Sequence, residues 1–136
     1  MSTPNFVGNV SSRPVGSLIQ ILKAVKSQIE YDTFYKNDMA LVGELCLIIS
    51  ELFTLPPGAE VKIGQDKLTA ELVQQVYSML TREHISFVID NFRSCGHEIK
   101  FKKAYMRTAL YNSVFEYESY CENLYASHRS GKAVAE

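Results

Sequence analysis

The sequence predicts an all-α fold, a compact bundle of about six helices with a minor β-hairpin near residues 60–69. Three observations carry this expectation. Apolar residues recur with the helical period over most of the chain, capping residues and Pro56-Pro57-Gly58 bound the helical stretches, and strand-like alternation is confined to one short segment. With 136 residues, 46% of them hydrophobic, the chain is about one domain long and has the side chains for one core. The expected organisation is a flexible lead-in or linker over 1–16, a helical domain over 17–127 and a loose tail over 128–136.

The lead-in carries Pro4, Gly8, Ser11, Ser12, Pro14 and Gly16, residues that favour irregular backbone. A helix then starts near Ser17, with Leu18, Ile21, Leu22, Val25 and Ile29 on one stripe. The chain bends between Tyr31 and Lys36, and Asn37 or Asp38 is the candidate cap of the next helix. In that helix Leu41, Leu45, Ile48, Ile49 and Leu52 form a stripe, widened by Val42, Cys46 and Phe53. So broad a face suits a central helix touched on more than one side. Gly43 within it reads as a close-packing site, and Pro56-Pro57-Gly58 ends it, since proline has no N–H to give the ladder.

Val61 and Ile63 alternate ahead of Gly64-Gln65, which suggests the hairpin. A helix follows from Lys67 or Thr69, with Leu72, Val73, Val76 and Met79 inward. Thr81 is a plausible cap for the next, where Ile85, Val88, Ile89 and Phe92 keep the spacing and Gly96 is placed to terminate it in the left-handed region. Two final helices are expected. Over 101–112, Phe101, Ala104, Tyr105, Thr108 and Tyr111 or Asn112 share a side; over 116–126, Tyr117, Tyr120, Cys121 and Leu124 face inward, with Glu116 and Glu118 in a first turn where the helix dipole favours acids. Asn112 caps the end of the earlier helix or bonds the turn after it.

A net charge of −1 excludes a domain that is basic all over, so any nucleic-acid contact would be local. Met1-Ser-Thr-Pro-Asn lacks the pattern of a signal peptide, and the apolar run over 41–47, interrupted by Glu44, falls short of the ~18 residues a membrane span needs. Cys46, Cys95 and Cys121 are odd in number and far apart, which argues for free thiols in a reducing cytoplasm, with one disulfide left open. Cys46 and Cys121 read as small core residues. No membrane, cofactor or metal is expected.

No catalytic motif is evident. Cys95-Gly-His97 pairs a thiol with an imidazole but lacks the third and fourth ligands a metal needs, and both read more simply as turn residues. His84, in the first turn of its helix, is a capping or packing residue. Glu116, Glu118 and Glu122 form a solvated face. The one local charge feature is Lys100, Lys102, Lys103 and Arg107, crowding a helix start beside Phe101 and Tyr105. Cations there oppose the macrodipole, which suits a surface meeting phosphates or an acidic partner. The plainer alternative is a solvated face partly compensated by Glu98.

The runs His84-Ile-Ser-Phe-Val-Ile-Asp90 and Ile99-Lys-Phe-Lys-Lys-Ala-Tyr-Met-Arg-Thr-Ala-Leu-Tyr-Asn112 carry a resemblance. They resemble the C-terminal domain of replication initiator protein A homologues from plasmids and conjugative elements of Firmicutes, with Met106-Arg107 where that family has a pair of leucines. Ile29-Glu-Tyr-Asp32 and the 61–64 region fit as well, so the likeness spans roughly residues 29–126. It implies a DnaD-like helical domain, non-catalytic, that docks on helicase or primase and in some relatives touches single-stranded DNA. The winged helix of such initiators has no room here, so origin recognition does not carry over. By this comparison Tyr105 and Tyr111 occupy the functional segment, although Tyr105 and Thr108 also make a sensible packed stripe. Three roles compete. One is a docking module using Lys100, Lys102, Lys103, Arg107 and Tyr111. Another is a weak single-stranded DNA binder using the same cations with tyrosine platforms. The third is a homo-oligomer paired through the Tyr-rich last helix.

Overall fold

The computed structural model describes residues 14–135, with side chains over 17–127. Of the expected lead-in, 1–13 lie outside the described residues, and 14–16 are already helical: α1 spans Pro14–Gln28. Proline is at home in a first helical turn, where the N–H it lacks would be unbonded in any case. Two single-turn 3-10 segments, Tyr31–Thr33 and Lys36–Asp38, make the bend, and Glu30 at φ 55° turns the chain out of α1. Then come α2 (Met39–Phe53), β1 (Glu60–Ile63), β2 (Asp66–Thr69), α3 (Ala70–Tyr77), α4 (Arg82–Ser94) and α5 (Lys102–Ala135).

The fold is the predicted helical domain with a small hairpin. The core is built on α2, whose Val42, Leu45, Cys46, Ile48, Ile49 and Leu52 are all buried and which packs against each of the other four helices. Val25 and Ile29 meet it from α1, Val73, Val76 and Tyr77 from α3, and Ile85, Val88 and Ile89 from α4. Gly43 is not a tight site: a methyl there would sit 3.9 Å from the Tyr31 hydroxyl, an ordinary contact.

In the hairpin Val61 and Ile63 point inward, and Ile63 pairs with Asp66 across a two-residue turn. Gly64 takes φ +62° there, the left-handed start that suits the twist of a tight hairpin. Its N–H donates to Thr108 Oγ1 at 3.0 Å, which seats the turn on α5.

Several expectations need correction. The two final helices are one, because Ser113 and its neighbours include no breaker and the Ser113 hydroxyl is satisfied within the helix by Leu110 O at 2.7 Å. Asn112, Glu116 and Glu118 are therefore mid-helix, and the backbone stays helical to Ala135 where a loose tail was expected. The buried stripe of α5 is Met106, Leu110, Ser113 and Val114, leaving Phe101 70% exposed and Ala104 outside as well. Cys121, Tyr120 and Leu124 are exposed too. Leu72 in α3 and Met79 in the turn after it face solvent while Tyr77 is fully buried. Gly96 does not terminate α4; Cys95 does, turning extended at ψ 126°. Asp38 precedes α2 without capping it through its side chain, and is held instead by an ion pair with Arg93.

The side chains that tie elements together are mostly polar with backbone partners. Gln28 Nε2 donates to Tyr77 O (3.1 Å) and Leu80 O (2.8 Å), and Gln74 Nε2 donates to Leu52 O and Leu55 O at 3.0 Å each. The Tyr77 hydroxyl donates to Arg107 O at 2.8 Å, joining α3 to α5. Replacing Tyr77 by Phe should lower stability by about 1 kcal/mol, the net worth of such a bond. Replacing it by Ala should cost about 3–5 kcal/mol through the cavity left behind. Urea denaturation separates the two, and a Phe variant as stable as the parent would show that the Arg107 bond adds nothing.

At the start of α4 the Thr81 N–H donates to His84 Nδ1 at 2.9 Å, so the imidazole must be unprotonated on that nitrogen. Burial lowers the His84 pKa, with Glu83 pulling the other way. A histidine depressed by folding is fully stabilising above its ordinary value of about 6.5 and loses that contribution as pH falls through the folded value. Stability should therefore drop by up to about 1 kcal/mol, the worth of a cap, between neutral and mildly acidic pH. His84→Gln retains a capping acceptor that does not titrate and should flatten this slope in thermal melts.

Candidate partner-docking site

The chain between α4 and α5, residues 95–101, delivers the predicted cations to the side of α2. Lys102 Nζ lies 2.9 Å from Glu44 Oε1, and Lys103 Nζ lies 2.7 Å from Glu51 Oε1. Glu44 and Glu51 stand two turns apart on one face of α2, so the two pairs bridge the helices like rungs. The charge that opposes the α5 dipole is thus compensated by α2, in place of the Glu98 compensation expected. Lys102 also stands 5.4 Å above the Phe92 ring, and Lys100 lies 5.7 Å from the Phe101 ring.

Between the rungs is an apolar hollow of about 270 Å³, floored by Leu47, Ile48 and Met106. Leu47 is 41% exposed, an open apolar side chain amid four charged ones. A second hollow of about 240 Å³ shares Ile48 and Glu51 and extends to Leu55, Val61 and Arg107. The two make a groove along α2 and the start of α5, reaching the hairpin. Tyr111 lines neither hollow; it packs partly against the core with its ring 5.5 Å from Phe115. The structure therefore gathers Lys102, Lys103 and Arg107, puts Lys100 at the entrance to the helix, and leaves Tyr111 apart.

Glu44, Leu47 and Glu51 were missed by sequence reasoning. Glu44 drew notice only as an interruption of an apolar run. The available signal was its spacing: Glu44, Leu47 and Glu51 follow i, i+3, i+7, a polar-apolar-polar edge on the most apolar helix.

Other groups with chemical potential are otherwise engaged. Cys95 Sγ lies 3.5 Å from His97 Nδ1, but among the described residues no three His, Cys, Asp or Glu side chains converge as a metal site requires. Burial pushes the Cys46 thiol up to about 11, partly offset by Lys26, which keeps it protonated and unreactive at neutral pH. Burial also raises the Tyr105 phenol, with Cys95 and Glu116 adding to it. Among the described residues no helix is long and apolar enough to cross a membrane.

A family profile described as a family of unknown function (DUF6017) matches residues 11–131. The chain belongs to the DUF6017 family. The matched stretch takes in α1 to α4, the hairpin and α5 up to residue 131, so the groove lies wholly inside the DUF6017 domain. No curated protein and no solved structure matches the chain.

The rim of the first hollow balances two lysines with two glutamates, leaving little net field there for a phosphate backbone. Glu44→Gln with Glu51→Gln should free both lysines. Stability should change by less than about 1 kcal/mol, since exposed pairs contribute little. Affinity for a single-stranded oligonucleotide at low salt should rise, with a steeper salt dependence, in fluorescence anisotropy. An unchanged salt slope would mean that the glutamates do not mask these cations.

Proposed function

We propose that this DUF6017 domain is a non-catalytic docking module of a cytoplasmic replication-initiation protein, taking a replisome component, helicase or primase, in the α2/α5 groove. The observation that carries the docking reading is the pairing of Lys102 with Glu44 and Lys103 with Glu51 over an apolar floor. An apolar centre inside a polar rim of mixed sign is the anatomy of a protein interface. A phosphate-binding surface would leave its cations unneutralised. The replication context rests on the likeness of residues 84–90 and 99–112 to replication initiator C-terminal domains, and helicase or primase is the partner class that likeness implies.

A second reading, weak binding of single-stranded DNA, draws on Phe101. Its ring is largely exposed beside Lys100, an arrangement on which a base can stack. One stacking residue and one neighbouring cation would supply a small part of a binding site, which ranks this reading below protein docking.

Pull-down of helicase and of primase by the full chain tests the proposal. Leu47→Asp places a charge on the floor of the groove at a half-exposed position and should reduce capture at least tenfold. The double reversal Lys102→Glu with Lys103→Glu should also weaken it, by setting four acids around the hollow. Capture that is indifferent to Leu47→Asp, or no capture of either protein, overturns the assignment.

A further inference from the structure

The first turns of α4 and the middle of α5 bring three aromatic rings together. The Phe87 ring centroid lies 5.6 Å from that of Tyr117 and 5.6 Å from that of Tyr120, and the two tyrosines are 6.3 Å apart. Phe87 and Tyr117 meet at 70°, so they stand as two walls instead of a stack, and Tyr120 forms a third side. With Glu83, Ser86 and Asp90 of α4 the rings line a third hollow, of about 240 Å³. Beyond Tyr117, α5 overhangs the bundle: every residue over 118–127 is exposed, Tyr120 by 49%.

The polar groups of this hollow are acceptors without partners. Glu83, Ser86, Phe87 and Asp90 follow i, i+3, i+4, i+7 on one face of α4, with the two acids about 10 Å apart along the axis on either side of Phe87. Among the described residues the ion pairs are Arg93 with Asp38, Lys102 with Glu44 and Lys103 with Glu51, which leaves the Glu83 and Asp90 carboxylates unpaired. The helix dipole favours Glu83 in its first turn whatever binds there, but Asp90 stands mid-helix and gains nothing from it. The contrast with α2 is direct. Glu44 and Glu51 have the same seven-residue spacing, and each holds a lysine of this chain.

The two basic groups close by add no positive charge to the hollow. Arg82 lines it, but its guanidinium is drawn to the bend before α2: Nε donates to Thr33 Oγ1 at 2.7 Å, a terminal nitrogen donates to Thr33 O at 3.2 Å, and the group lies 4.6 Å from the Phe34 ring centroid. His84, 5.4 Å from Tyr117, is uncharged at neutral pH because burial lowers its pKa.

These features select the occupant by charge. An anion meets two carboxylates, and an apolar side chain would strip water from them without replacing it. A cation is attracted both by the acids and by the ring quadrupoles, and the three centroids are close enough for one cation to lie within about 6 Å of each. Guanidinium suits the place better than ammonium, being planar, more weakly hydrated and able to donate in several directions at once. We propose that this hollow takes an arginine side chain from a basic segment of a partner protein, with Phe87, Tyr117 and Tyr120 around the guanidinium and Glu83 and Asp90 as its counter-ions. It shares no residue with the groove over Leu47, so it does not rest on the docking of helicase or primase there.

A short dye-labelled peptide of alternating arginine and glycine, titrated with the full chain at low salt and followed by fluorescence anisotropy, tests the proposal. The same peptide with citrulline for arginine keeps the shape and loses the charge. Saturable binding of the arginine peptide is expected, at least tenfold tighter than that of the citrulline peptide. Tyr120→Ala and, separately, Glu83→Gln with Asp90→Asn should each weaken it at least fivefold, whereas Tyr120→Phe keeps the ring and should bind within about twofold of the parent. Glu71→Gln with Glu98→Gln removes the same charge from exposed positions elsewhere and should have as little effect. Tyr120, Glu83 and Asp90 are exposed, so thermal melts of these variants should stay close to the parent's. No saturable binding overturns the proposal, as does equal affinity for the citrulline peptide. Binding indifferent to Tyr120→Ala or to loss of the Glu83 and Asp90 charges overturns it too. So does an equal loss on changing Glu71 and Glu98, which would mean attraction to the overall charge. None of these positions lies in the groove, so failure here and failure of helicase or primase capture are separate results.

Discussion

The bond from the Tyr77 hydroxyl to the Arg107 carbonyl is the constraint on which the arrangement of α5 depends. A buried phenol must find an acceptor, and the helix ladder of α5 supplies one at a single height along its length. Burial drives the Tyr77 pKa upward, against a smaller opposite pull from Arg107, so the hydroxyl keeps its proton and remains a donor. The main chain of Tyr77 is held at the same time by Gln28, and α3 is tied to the end of α2 by Gln74. With α5 set at that height and rotation, Met106 and Leu110 enter the core, and Lys102 and Lys103 come level with Glu44 and Glu51. The groove is thus a consequence of how one tyrosine is satisfied.

Much of this was legible in the sequence, where the signal is local. The broad stripe of α2 marks it as the centre of the bundle, Thr81 and Thr69 stand where helices start, and Gly64 marks the hairpin turn. The misreadings arise where two local solutions compete. The start of α5 offers two stripes, one aromatic through Phe101, Tyr105 and Tyr111, the other through Met106, Leu110 and Val114. Only the position of α3 and the hairpin decides between them. The same applies to α3 and the turn after it, where Leu72 and Met79 outrank Tyr77 in hydropathy, yet the tyrosine is buried because a carbonyl on another helix completes its hydrogen bonding. The Glu44 and Glu51 pairs were invisible for a related reason: more than fifty residues separate each from its lysine, and no periodicity links them.

Those pairs do little for stability, being exposed and open to screening. Their effect is on the kind of partner the surface suits. Lysines at a helix N-terminus oppose its dipole, so in isolation they advertise a site for phosphate. Once each has a carboxylate within 3 Å, the same residues become a neutral, directional rim around Leu47 and Ile48. A partner with its own charges can exchange with these pairs one for one, so that the rim specifies orientation while the apolar floor supplies most of the affinity.

The two ends of α5 therefore face different demands. Its first turns are held on every side, by Tyr77, Gly64 and the acids of α2, and any partner there meets a preformed surface. Over 118–127 every residue is exposed, although the apolar stripe is continuous with the buried one. A single unbroken helix makes these two regions mechanically one: no glycine or proline falls between Lys102 and Ser130, so there is no site at which the overhang can hinge independently of the groove.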